Sequence, residues 1–124
     1  MLLLLFYIAD EPFGIRSDDV EEVFSLNHLS NNSVATEISP KYLSGFFSIR
    51  ELNLPVIDMS MVLKGIASPR CLYTRIAVLA NPFKDKFALL LDACVEIEEF
   101  DDSKDNPISI IDLNEIERRV LSNG

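Results

Sequence analysis

The chain has 124 residues, 48% hydrophobic and 25% charged, which suits one domain or two small lobes sharing a core and does not suit disorder. Its net charge of -9 and pI of about 4.4 exclude nucleic acid and anionic membrane surfaces as natural partners, because nothing would neutralise their phosphates. Two cysteines, Cys71 and Cys94, without metal-ligand spacing around them, fit a reduced cytoplasmic protein.

The opening run Met1 to Ile8 has no positive n-region and no small-residue cleavage site, and Asp10-Glu11 follows at once. It also falls far short of the ~20 apolar residues that span a bilayer, so no direct membrane insertion is expected. Leu2 to Ile8 reads as a strand covered on both faces. Ala9 to Pro12 reads as a turn, and Phe13-Gly14-Ile15 as the return strand of a hairpin. Ser17 has the chemistry of a helix cap, with Asp18, Asp19 and Glu21 where the helix dipole favours negative charge. Val20, Val23 and Phe24 stand at i, i+3 and i+4, which would give that short helix an apolar face.

Asn27 to Ser33 is a polar loop, and Val34 to Ile38 reads as a short edge strand ended by Ser39-Pro40. Leu43 to Arg50 and Leu52 to Ile57 read as two strands joined tightly near Glu51. Asp58 then caps a short helix from Met59 to Leu63, with Gly65 suited to its C-terminal end. Thr74 to Ala80 and Phe87 to Leu91 read as strands about a turn at Asn81 to Asp85. Asp112 and Glu115 have capping-box spacing, and Leu113, Ile116, Val120 and Leu121 give the last helix an apolar stripe.

The second half repeats the first. Asp92 to Ile97 echoes Asp18 to Val23, and Ile110-Ile111-Asp112-Leu113 echoes Val56-Ile57-Asp58-Met59. The spacing differs: Val23 to Asp58 is 35 residue steps, and Ile97 to Asp112 is 15. The second half therefore lacks about 20 residues, where the first has a Pro-loop-Gly segment and a strand. If each half builds a small barrel, the second is incomplete, and the acidic run Glu96 to Asp105 would charge its open edge or form a solvated turn. The chain thus reads as one unit, residues 1–124, with a first lobe near 1–63, a second near 74–124, and strand exchange between them as one arrangement.

Arg50 is the odd residue in an apolar, strand-forming stretch. It must point out of the core or lie at the rim of a groove, where arginine is enriched in interfaces; the plain alternative is a surface arginine on an edge strand. Val20 reads first as core, and Glu22 faces either a partner or Arg50. Asp101, Ser103, Asp105 and Asp112 fall at positions 1, 3, 5 and 12 of a calcium-loop template. The template fails at position 6, which is Asn106 in place of glycine, and Pro107 pushes Asn106 toward an extended conformation. His28 is the only histidine and reads as a solvated loop residue. Ser48 lacks a nucleophile turn, Cys94 reads as inert core, and no phosphate-binding loop is present. No catalytic group, metal or cofactor is expected; a calcium- or small-ligand-binding module using the acidic run is the alternative.

Gly45, Ile49-Arg50 and Pro55-Val56-Ile57-Asp58-Met59 stand at a spacing that resembles the CheW-like family of chemotaxis coupling proteins. Gly14-Ile15 with Val20 to Val23, Leu90-Leu91-Asp92 with Val95 and Ile97, and Ile110 to Leu113 extend the resemblance from Leu2 to Leu121. The resemblance implies a mainly β fold of two SH3-like barrel lobes, the second incomplete here, with short helices after Ser17, Asp58 and Asp112. It implies a non-enzymatic cytoplasmic adaptor that ties chemoreceptor cytoplasmic tips to a CheA-type histidine kinase. Carried over residue by residue, the receptor's helical hairpin would meet Val20, Glu22 and Arg50. Glu51 stands where that family usually has glycine, and the shortened second half removes material that in the family helps dock the kinase. A divergent adaptor of a related motility or surface-sensing pathway, and a homodimer through edge-strand pairing, are the further expectations.

Overall fold

The computed structural model describes every residue except 32, 34, 82–86, 102–106 and 122–124, and all but the side chain of Val95. Strands β1 (Leu2–Ile8) and β2 (Glu11–Arg16) form an antiparallel hairpin closed by the Ile8–Glu11 pair. Its turn is only Ala9-Asp10, with φ of 49° and 65°, so Pro12 lies within the strand opposite Tyr7. Two successive positive φ values match the right-handed twist of the strands, as in a type I′ turn.

The helix expected after Ser17 is one 3-10 turn, Ser17–Asp19, and Ser17 makes no capping bond; the preceding residue, Arg16, occupies the cap position. Beyond it, Val20–Ser25 is strand β3, not helix. The helical spacing of Val20, Val23 and Phe24 is incidental, since β-branched and aromatic residues favour a pleated, half-buried surface and a pairing strand is available. That strand is β6 (Arg75–Leu79), with Val20 opposite Leu79 and Glu22 opposite Val78. Glu21 is the extra residue of a bulge.

The expected strand at Val34 to Ile38 reduces to one bridge between Ile38 and Leu121; Val34 lies outside the described residues. Strands β4 (Leu43–Ile49) and β5 (Leu52–Asp58) pair antiparallel about Arg50-Glu51. Asp58 accepts the Met61 amide at 3.2 Å and starts α1 (Met59–Lys64). Gly65 ends it at φ 70°, donating to the Met61 carbonyl at 2.9 Å. After β6 come β7 (Ala88–Leu91), β8 (Ala93–Glu99), β9 (Ser109–Ile110) and α2 (Leu113–Val120). Asp112 caps α2 through the amides of Asn114 and Glu115, at 3.0 and 3.4 Å. The expected turn at Asn81 to Asp85 falls mostly outside the described residues.

Two sheets result, one of four strands in the order β8-β1-β2-β9 and one of five in the order β3-β6-β7-β5-β4. Each draws on both halves of the sequence. The repeat is real, but its first echo is strand with strand: β3 crosses to the β6–β7 hairpin as β8 crosses to β1–β2. Likewise β5 lies parallel to β7, and β9 parallel to β2. Strand β4 has no counterpart beside β9 among the described residues, which is where the shorter second half lacks sequence.

Period-two alternation divides the core. In β6 and β7, Ala77, Leu79, Leu89 and Leu91 enter the larger cluster with Leu4, Phe6, Ile8, Ile57, Ile111 and Ile116. Ile76, Val78, Ala88 and Leu90 face the other way, meeting Phe47, Leu54 and Val56 inside the five-stranded sheet. The helices lie against the larger cluster, and Arg119 of α2 donates to the Val62 carbonyl of α1 at 2.7 Å, satisfying an end carbonyl of that helix.

Candidate partner-binding site at the β4–β5 turn

The five-stranded sheet curls until its edge strands meet. Phe24 of β3 packs on Phe47 of β4 with ring centroids 4.7 Å apart. His28 stands edge-on to Phe24 at 5.4 Å, so the lone histidine packs against this aromatic pair although it is exposed. Ser30 and Phe46 exchange two backbone hydrogen bonds, of 2.8 and 2.9 Å. Gly45 permits that approach: its φ is +149°, and a Cβ there would lie 2.9 Å from the Ser30 carbonyl oxygen.

Above this seam sits Arg50. It is not within a strand but is the first residue of the β4–β5 turn, with φ 47°, followed by Glu51 at 65°. The turn carries its guanidinium toward β3, where Nη2 forms an ion pair with Glu21. The bulge in β3 makes this possible by freeing Glu21 from the ladder. Hydrogen bond and charge from Glu21 raise the pKa of Arg50 further, and the Glu22 carboxylate adds a smaller pull in the same direction. The Arg50 side chain remains 59% exposed, so donors are left for a second acceptor outside the protein.

The structure therefore groups Glu22 with Arg50 on one exposed rim, through Glu21, which sequence reasoning passed over as a helix-turn acid. Val20 is different. It is half-buried and packs against the larger core cluster, so a change to Asp would disturb the fold and would not serve as a clean surface probe. The loop between α1 and β6 exposes Ile66, Leu72 and Tyr73. Nothing in their spacing distinguished them from core residues.

The other candidates have ordinary roles. Ser48 Oγ contacts the Asn53 side chain at 3.1 Å. Asp112, the last calcium-template position, is occupied as a helix cap, while Ser103, Asp105 and Asn106 lie outside the described residues. No group of three or more His, Cys, Asp or Glu residues suited to a metal ion occurs among the described residues. Both cysteines are free, and burial pushes the Cys94 thiol pKa up against the charge of Arg75. Asp58 and Asp92 form a buried acidic neighbourhood. Asp58 also accepts the Ser68 amide at 2.9 Å, while one oxygen of Asp92 has no hydrogen-bond partner among the described residues. Burial pushes the Asp92 carboxyl above the ordinary range and the Asp58 charge adds to this, against hydrogen bonds from Ser68 and Ser60.

The family described as CheW-like domain matches residues 2–123. The chain belongs to the CheW-like domain family. Among solved structures it is similar to the scaffolding protein TtCheW from Thermoanaerobacter tengcongensis, with 25% identity and a TM-score of 0.64. That similarity covers 82% of this chain and 66% of the TtCheW chain, slightly under two thirds of the latter's length. The comparison with curated proteins gives no match. The two-sheet β architecture agrees with the fold expected of a CheW-like chain. Among the described residues no helix is long and apolar enough to cross a membrane. Glu51, where the resemblance implies glycine, holds a positive φ of 65° in the turn.

Proposed function

We propose that this CheW-like domain is a non-enzymatic adaptor of chemotaxis-type signalling, working in the cytoplasm to link chemoreceptor tips with a CheA-type histidine kinase. The observation that carries the reading is the family match over nearly the whole chain, together with an exposed Arg50 rim on a five-stranded sheet whose edges meet at the Phe24–Phe47 contact. Glu22 and Arg50 are the receptor-facing residues, with Val20 shaping the strand beneath them. A receptor's helical hairpin laid on this rim would meet apolar surface for affinity and the Arg50 guanidinium for register.

Binding of a purified receptor-tip fragment, measured by calorimetry on the full chain, tests this. Arg50→Ala and Glu22→Lys should each weaken binding about tenfold or more while leaving the circular dichroism spectrum and melting midpoint close to wild type. Unchanged affinity in both folded variants would remove the rim from the receptor contact.

A second reading is favoured by one observation, the four-stranded sheet without a counterpart of β4 among the described residues. In it the chain binds receptors but does not engage the kinase in the family's usual geometry, as in a related motility or surface-sensing pathway. Co-purification from native cells separates the two: a histidine kinase that accompanies the tagged chain supports the first, and receptors without kinase support the second.

A further inference from the structure

We propose that the free edge of β9 accepts an extended, apolar segment of another protein, flanked by basic residues, as a fifth antiparallel strand. The molecule carries an internal twin of this edge. Val56 of β5 and Ile110 of β9 occupy equivalent places, since Val56 pairs with Ala88 of one hairpin and Ile110 with Gly14 of the other. The next residues, Ile57 and Ile111, are both buried in the larger cluster, and each is followed by an aspartate that caps a helix. Yet Val56 is fully buried, while Ile110 is 40% exposed. The difference is β4. It covers the outer edge of β5 from the Leu43–Ile57 pair to the Ile49–Leu52 pair, and no described strand stands there beside β9.

The backbone agrees. Ile111 donates its amide inward to the Gly14 carbonyl at 2.8 Å, so strand alternation turns the amide and carbonyl of Ile110 outward. Strand β5, held on both edges, runs for seven residues; β9, held on one, runs for two. A cleft of about 440 Å³ opens alongside, lined in part by Arg16, Asp19, Ile110 and Leu113.

The twin also specifies the occupant. What completes the five-stranded sheet is Leu43 to Ile49, an apolar strand rich in phenylalanine. Charge then selects between partners. The chain carries -9, and the exposed edge of β8, on the far side of the same sheet, presents Glu96, Glu98 and Glu99. A second copy would bring like charge to the contact, and its own free β9 offers only two residues. A basic-flanked segment of a different protein meets neither obstacle.

The probe is a peptide of residues 43–49 with lysines added at both ends, titrated into the full-length chain. Amide shifts and hydrogen exchange are followed by NMR, and a scrambled peptide of the same composition serves as control. Saturable binding is expected below about millimolar peptide, with the Ile110 amide slowed in exchange. Ile110→Lys should weaken it about tenfold or more. Ile110→Pro should do the same by removing the outward amide, while the Ile111 amide keeps its inward bond. Both changes are at one exposed edge position, and melting midpoints near wild type establish folding. The proposal is overturned by no saturation at millimolar peptide, by equal binding of the scrambled peptide, or by protection falling on β8. A dimer without peptide whose Ile110 amide is already protected also overturns it, by making a second copy the occupant.

Discussion

Gly45→Ala tests how the five-stranded sheet closes. A Cβ at this position would lie 2.9 Å from the Ser30 carbonyl oxygen and 3.0 Å from the Leu29 side chain. The oxygen belongs to backbone rather than to the end of a movable side chain, and it accepts the Phe46 amide at 2.9 Å. Alanine must therefore push residues 29 and 30 off the sheet edge. Adopting a positive φ costs a non-glycine residue about 1–2 kcal/mol, and loss of the Ser30–Phe46 pair of bonds adds about 1–2 kcal/mol as those groups return to water. The total is about 3 kcal/mol. Gly65→Ala is the internal control, since its φ is +70° but a Cβ there meets nothing within 4 Å. It should lose about 1 kcal/mol, the conformational cost alone. Urea unfolding followed by circular dichroism reads both, with slopes equal to wild type. Equal losses in the two variants would refute the claim that close approach to Ser30 adds to the cost of φ at position 45.

Glu51→Gly should raise stability by about 1 kcal/mol in the same assay, because φ of 65° is strained for glutamate and free for glycine; a lower urea midpoint would show that the Glu51 side chain holds the turn. Asp92 carries the pH prediction. Its folded pKa is raised above the unfolded value of about 3.9, so its contribution is present below that pH and is lost as pH rises through the folded value. Thermal melts of Asp92→Asn and wild type should diverge in the variant's favour as pH rises above about 4, and a difference that does not change with pH would exclude the mechanism.

Much of the scaffold was legible because its signals are local. Asp58, Asp112 and Gly65 mark helix ends by chemistry that acts within one turn, and the apolar run Leu3 to Phe6 is buried on both faces of its strand. The error at Val20 to Phe24 has the opposite origin. The six residues of β3, Val20–Ser25, satisfy helical and extended spacing about equally, and what decides is β6, some fifty residues on and invisible from the segment itself. The same distance hid Glu21 as the partner of Arg50, because a bulge has no signature in one strand's sequence. Repeat counting fared better: the missing residues of the second half correspond to the missing neighbour of β9.

The interleaving of the two halves also bears on synthesis. When the first 64 residues have emerged from the ribosome, β3 and β5 exist without β6 and β7, the strands they must pair with. Only the β1–β2 and β4–β5 hairpins can close, and isolated hairpins are marginal in water. The nascent chain must carry open, apolar edges until its second half arrives, so neither half is a unit that could be expressed, inherited or exchanged alone.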